Sequence, residues 1–348
     1  VTIEIPSQLL VETGQAIARG VAFLEETQLA SGELPVFTST DRTMELGGTP
    51  DPSIFPTAVI ARALSDCRAA SAVVARAQRF LMAERDGDHL WRHWTREHDF
   101  YAQLPPDLDD TSCASAVMAR AGLSPDNRAL ILANRNTRGL FFTWIAPRPR
   151  WTGAAHMKVT LAQLRHALTL VGFFRQTSAK PYDVDAVVNA NCLSYLGDFE
   201  GRQAVIDHLL GVIEAGTEAQ CDKWYENPFV VRYFLSRALA EAAPASGEKM
   251  VCRIAGAEPS NALEIALTLC SLRYWRAPQP AALIERLLSL QLRSGAWRRA
   301  ALYHGGRTRR RDGTFAPPHP DTPNWGSEAL TTGFCIEALS RPPDMPAQ

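Results

Sequence analysis

Six stretches of this chain are rich in alanine and leucine and nearly free of charge: Thr57 to Leu64, Thr111 to Arg120, Val187 to Leu196, Phe229 to Leu239, Asn261 to Leu272 and Glu328 to Leu339. Each follows a charged, amphipathic stretch, near residues 8–29, 70–85, 126–134, 202–216, 247–256 and 279–293, the fifth being the weakest. A helix that is apolar all round must be buried on most sides, and one that is apolar on one face must cover it. Six outer-then-inner pairs taken in order close into a single (α/α)6 barrel, inner helices lining the axis and outer ones facing water. The expectation is therefore an all-α chain. Strand signals are nearly absent, and no linker rich in Pro, Gly or Ser divides it, so residues 1–348 read as one domain with an extra helix inserted at about 158–174.

The outer stretches end alike. Arg19-Gly20-x2-Phe23-Leu24-x3-Gln28-x3-Gly32 returns as Arg76-Ala77-x2-Phe80-Leu81-x3-Arg85, with Trp91 beyond it, and as Leu287-x3-Gln291-x3-Gly295-x-Trp297. A degraded copy runs Ile131-x3-Arg135-x3-Gly139-x-Phe141. Each reads as an amphipathic helix closed by a glycine turn, a glutamine that can bond backbone and an aromatic ring. The long irregular segments 33–55, 86–108, 140–157, 175–183 and 296–325 all lead from an outer into an inner helix. They should gather at one mouth of the barrel, where function usually sits.

Asp107-Leu108-Asp109-Asp110-Thr111 opens the second inner run at that mouth. Like charges a few ångströms apart cannot all stay ionised once partly desolvated, so at least one should keep its proton well above the model value of about 3.9. Such a group is a general acid. A plainer reading makes Asp110 a helix cap and leaves Asp107 and Asp109 in water.

Bulk composition excludes little and agrees with this. The chain is 46% hydrophobic with a net charge of −1, an ordinary globular protein without the basic balance that nucleic acid demands. Seven cysteines, an odd number with no C-x-x-C pair, read as buried thiols of a reducing compartment, and a cytoplasmic location is expected. No apolar stretch is long enough to cross a bilayer, which leaves peripheral membrane contact open.

With the acids and repeats in hand, the chain resembles class II terpene cyclases, the squalene-hopene cyclase and copalyl diphosphate synthase group. Their D-x-D-D, often followed by T, is matched in full by residues 107–111, and their QW repeat, [K/R]-[G/A]-x2-3-[F/Y/W]-[L/I/V]-x3-Q-x3-G-x-W, by the copies above, with Leu34 replacing the final aromatic of the first. The resemblance spans the chain but only one barrel, the acid-bearing one called β. It implies that Asp109 protonates a terminal alkene or epoxide, with Asp107 and Asp110 holding its proton and geometry. It also implies an isoprenoid substrate, farnesyl or geranylgeranyl diphosphate or a squalene-like chain. Proton transfer would need no cofactor, whereas a diphosphate would call for Mg2+, whose site this lone barrel leaves unassigned. Without the family's second barrel, loops or a homodimer must close the pocket.

A cation needs walls that stabilise charge without reacting, and aromatic faces contribute about 0.5–2 kcal/mol each. The candidates on segments entering inner helices are Trp94, Phe142, Trp144, Trp224, Tyr225, Tyr303 and Trp325. Asn189 and Asn191, polar on an apolar run, either face the cavity or bond neighbouring backbone. Arg307, Arg309 and Arg310 belong to the densest positive run, suited to a diphosphate or simply solvated. Class I cyclases need D-D-x-x-D, but Thr111-Ser112-Cys113 follows the acids; prenyltransferases need a D-x-C zinc ligand spacing that Cys221-Asp222 lacks. The rival readings are an α/α-barrel glycosidase, pairing Asp109 with Asp183, Asp185 or Glu226, and a non-catalytic module that binds isoprenoid lipid.

Overall fold

The computed structural model describes residues 7–148 and 154–340. Its helices are α1 Ser7–Thr27, α2 Ile54–Ala63, α3 Ser71–Glu84, α4 Leu108–Arg120, α5 Arg128–Ala133, α6 Ala154–Gln163, α7 Ala167–Gln176, α8 Ala186–Leu196, α9 Arg202–Ala215, α10 Pro228–Ala242, α11 Gly247–Ala255, α12 Ala262–Tyr274, α13 Ala281–Ser289 and α14 Glu328–Leu339. The six apolar runs are α2, α4, α8, α10, α12 and α14, each buried along most of its length. Each packs against the next, and α14 returns to α2, so the six form a closed ring of neighbours. Of the amphipathic helices, α1 covers α14, α3 covers α2, α9 covers α8 and α13 covers α12. An outer helix thus leans mainly on the inner helix of the pair before its own.

The repeats explain that offset. In the first copy the Gln28 amide bonds its own turn at Gly32 O (2.8 Å) and reaches Val73 O on α3 (3.1 Å). In the third, Gln291 bonds Gly295 O and, at 2.9 Å, Ala16 O on α1, joining the last pair to the first. Gly32 and Gly295 have φ of +94° and +87°, and a Cβ on either would stand 2.3 or 2.4 Å from the carbonyl oxygen of Arg76 or Arg19. Only glycine permits both that backbone and that approach. The ring that follows is fully buried, with Trp91 and Trp297 each donating its indole N–H to a carbonyl at 2.8 Å.

Three expectations change. The absence of strands does not hold: β1 Phe37–Ser39, β2 Thr49–Pro50, β3 Ala301–His304 and β4 Asn324–Gly326 form an antiparallel sheet in the order β2-β1-β4-β3. Strands of two to four residues are too short to show a period of two, and here they serve to tie the first long loop to the last. The inserted helix is two, α6 and α7, split by a 3-10 turn at Leu164–His166 where His166 leaves helical geometry (φ −113°, ψ 25°). Among the described residues no helix is long and apolar enough to cross a membrane. The seven cysteines are free thiols, and against expectation Cys252 is exposed.

Candidate active site

All six inner helices begin at a polar residue in extended conformation: Ser53, Asp107, Asp185, Asn227, Asn261 and Ser327. Asp107 is therefore the cap of α4, accepting from Asp110 N at 2.8 Å, and the cap role expected for Asp110 belongs to it. Two residues after the cap, five of the six helices carry an apolar side chain: Phe55, Val187, Phe229, Leu263 and Ala329. The remaining one carries Asp109. A position that is apolar in the other five holds a carboxyl here, and beside it lies a cavity of about 360 Å³.

That cavity, within the usual range of ligand pockets, is lined by Phe55, Trp94, Trp144, Phe173, Trp224, Tyr225, Tyr303 and Trp325, with His93 and the three aspartates at one end. Trp325 and Tyr303 stack at 5.2 Å and Trp144 meets Trp224 edge-on at 5.8 Å. The loops 86–108, 140–157, 175–183 and 296–325 all contribute, so the expected gathering at one mouth occurs.

Each Asp109 oxygen holds one strong donor. Tyr225 Oη donates to Oδ2 and Asn191 Nδ2 to Oδ1, both at 2.5 Å. Burial, reinforced by the Asp107 charge, pushes the acid up to about 7 against the pull of those two hydrogen bonds. Burial also raises Asp110, to about 7, and raises Asp107 well above the carboxylate range with Asp110 adding to it. His93, whose Nδ1 is 3.6 Å from Asp110 Oδ2, is pushed down by burial against the neighbouring aspartates and stays neutral. Among the described residues no cation bonds Asp109, and each oxygen keeps a second lone pair for a proton. Among the described residues no three His, Cys, Asp or Glu side chains converge as a metal site would require.

No protein-family model and no curated protein matches this chain. Solved structures do. A variant of the type II terpene cyclase MstE from Scytonema, in complex with geranylgeranyl dihydroxybenzoate as substrate, superposes with a TM-score of 0.67 at 16% identity, covering 96% of this chain and 98% of that one. MstE without ligand gives a TM-score of 0.67 at 15% identity over 94% and 98%. A protein from Actinoplanes gives 0.63 at 16% identity over 94% and 98%. The chain shares the fold of a type II terpene cyclase.

On that terpene cyclase fold, the sequence candidates divide. Asp107, Asp109, Asp110, Trp94, Trp144, Trp224, Tyr225, Tyr303 and Trp325 line one cavity, and Asn191 touches Asp109 directly. Phe142 does not reach it: its ring packs under the Arg148 guanidinium at 4.0 Å and meets Tyr182 edge-on, while Thr143 and Trp144 line the cavity. Asn189 does not reach it either. Its side chain bonds both the N–H and the carbonyl of Phe141, at 2.9 and 3.1 Å, doing for the third pair what the Thr57 and Thr111 hydroxyls do for Leu34 and Trp91.

The arginine run is also reassigned. Arg307 is buried and donates to the carbonyls of Ala219 (2.9 Å), Asp222 (2.5 Å) and Tyr225 (3.2 Å), bracing the loop that presents Tyr225. Arg309 and Arg310 are exposed on a hairpin outside the cavity, with Arg309 over Phe315 at 5.6 Å. Arg309 bridges to Phe315 as Arg135 does to Phe141 and Gln291 to Trp297, so Arg309-x3-Gly313-x-Phe315 is a further copy of the turn, unrecognised in the sequence because a strand, not an amphipathic helix, precedes it. The glycosidase partners are misplaced too. Asp183 and Asp185 are buried away from the cavity, and Glu226 pairs with Arg42 in a separate polar cleft.

Five residues entered without a sequence signal strong enough to name them, His93 and Phe173 of the cavity lining among them. Phe55 occupies the place on α2 that Asp109 holds on α4, and its ring meets Tyr303 edge-on at 5.4 Å. Asp51 accepts the indole N–H of both Trp94 (3.1 Å) and Trp325 (2.6 Å), fixing two cavity walls. Arg237, the buried cation of α10, donates to Asn191 Oδ1 at 2.5 Å. Because a guanidinium can only donate, it turns the amide so that Nδ2 faces Asp109. A charge in the middle of an otherwise apolar inner helix was the available clue.

Proposed function

We propose that the chain is a single (α/α)6 barrel acting as a protonation-initiated, class II terpene cyclase on a linear isoprenoid. The observation that carries the reading is a carboxyl raised to about 7, bonded by two neutral donors and no cation, at the end of a cavity walled by eight aromatic rings. In the protonated state Asp109 transfers its proton to the terminal alkene carbon of the bound chain, leaving a tertiary carbocation and a carboxylate. Tyr225 and Asn191 already bond that carboxylate, which lowers the cost of its formation. The cation is attacked by the next alkene, the ring faces stabilise the charge as it moves, and loss of a proton ends the cascade without net change in atoms.

The case for a diphosphate weakens. Arg307 is consumed by backbone carbonyls and Arg309 and Arg310 stand outside, so among the described residues the cavity offers no arginine fork to a diphosphate. We therefore place a prenylated aromatic acid, the substrate type bound by MstE, ahead of prenyl diphosphates and squalene, with no step routed through Mg2+. The test supplies the purified protein with geranylgeranyl dihydroxybenzoate, geranylgeranyl diphosphate, farnesyl diphosphate and squalene in separate reactions. A cyclised isomer by mass spectrometry and NMR, absent with Asp109→Asn, is expected from the first. Recovery of every substrate unchanged, with binding, would make the chain an isoprenoid carrier instead.

A further inference from the structure

Between Asp126 and Asp183 the sequence has no acidic residue and nine arginines and lysines, in a chain whose net charge is −1. Helices α6 and α7 lie in this segment, and on them and the 3-10 turn between them Met157, Leu161, Leu164, Leu168 and Val171 are exposed, Leu168 to 89%. Their spacing of three or four residues runs a solvent-facing apolar stripe through both helices. Arg165 and Arg175 flank it, exposed and without an ion pair among the described residues, and Lys180 follows, bonding only carbonyls. The same helix α7 has a second side. Phe173, packed edge-on against Trp144 at 5.2 Å, lines the acid cavity together with Thr177 and Ser178 just beyond the helix end.

An apolar stripe flanked by unpaired cations, on helices too short to span a bilayer, is the pattern that seats in the interface of an anionic membrane. We infer that α6 and α7 dock this protein on an anionic lipid surface, with the cavity wall formed by α7 next to the lipid. A water-insoluble isoprenoid would then pass from the bilayer to the cavity without crossing water; this last step rests on the cyclase reading, whereas the docking does not.

The full chain is sedimented with vesicles of phosphatidylcholine alone and of equimolar phosphatidylcholine and phosphatidylglycerol. At least about tenfold tighter binding to the anionic vesicles is expected, falling as salt rises. Leu168→Glu should lose about tenfold, and Arg165→Gln and Arg175→Gln about fivefold each; these side chains are exposed, so thermal unfolding should not change. Equal binding to both vesicle types, or unchanged binding by Leu168→Glu, overturns the inference. A parent dimer that Leu168→Glu converts to monomer, with no vesicle binding by either, overturns it in favour of a face between two copies. Because sedimentation needs no turnover, loss of docking and failure of the cyclase reading give separate results.

Discussion

Two neighbouring inner helices, α4 and α8, both start at a buried aspartate, and both starts are crowded with acid. At α8, Asp183, Asp185 and Asp222 surround Lys223, whose Nζ lies 2.7 and 2.6 Å from the Asp183 oxygens. Asp185 accepts the Thr143 hydroxyl at 2.6 Å and Lys223 N at 3.1 Å, and Asp222 accepts the backbone N–H of Val187 and of Trp224, each at 2.9 Å. At α4, among the described residues, no lysine or arginine bonds the acids and one Asp110 oxygen has no hydrogen-bond partner, and a cavity opens on Asp109. Burial raises Asp107, Asp109 and Asp110 at α4 and Asp185 and Asp222 at α8, with Asp222 adding to the rise of Asp185. What separates them is access. An acid needs a raised affinity for its proton and also an apolar space to deliver it into, and only the α4 cluster has both.

The widest separation should come from activity. Asp109→Asn is expected to lower cyclisation at least about a thousandfold, since a positioned general acid is worth about 10²–10⁴, measured as single-turnover product by mass spectrometry. Asp185→Asn, by contrast, should leave whatever protein folds still cyclising. A mutant at Asp109 that cyclises like the parent ends the functional contrast between the clusters.

Stability should separate them in the other direction. Lys223→Met strands Asp183 in a buried site and is expected to cost about 3–5 kcal/mol, the scale for breaking a buried ion pair, read from the urea midpoint. The Asp109→Asn variant should show no such loss.

Smaller effects sharpen the role of the donors. Tyr225→Phe and Asn191→Ala each remove a hydrogen bond that holds Asp109 down, so each should raise its pKa further. Because the active form is protonated, parent activity should fall as pH rises through about 7, and in both variants that fall should move to higher pH. A weaker acid and a less stabilised conjugate base should cut the maximal rate about tenfold to a hundredfold, on the scale of about 1–3 kcal/mol for bonds to charged groups. A pH profile unmoved by either change would mean that these donors do not touch the proton that matters.

The smallest effect is a pH dependence of folding. Asp109 titrates near 3.8 when unfolded and at about 7 when folded, so its contribution is most favourable below the unfolded value and is lost as pH rises through the folded one. Asp109→Asn should therefore be more stable than the parent at about pH 8, by about 1–3 kcal/mol, with the gain vanishing towards about pH 4. Denaturant titrations at both pH values check it. A catalytic acid that also stabilised the fold at high pH would contradict its burial without a counter-charge.

Much of this was legible in the residues, unevenly. The inner helices could be read because all-round burial leaves charge nowhere to go, and the acid triplet because no stability argument accounts for it. Asn189 and Asn191 show the limit: two positions apart on one helix, equally anomalous, one clasps the Phe141 backbone and the other bonds Asp109. Alignment of the helix starts would have separated them, since Asn189 stands where Thr57 and Thr111 stand. For Arg307 no such internal comparison helps. Whether an arginine in a loop turns inward is settled by which carbonyls it meets, and those belong to residues more than eighty positions away.

Sequence alone determined the ring of six inner helices, the turns that clasp one outer helix to the next, and the place of the acid triplet at an inner-helix start, because these depend on local periodicity and on contacts within a repeated unit. Tertiary structure alone decided which aromatic rings face the acid, that the arginines do not, and that Arg237 on α10 orients the amide on α8 beside it. Those relations join loops and helices far apart in the chain, and no local pattern encodes the distance between two side chains that meet only when the ring has closed.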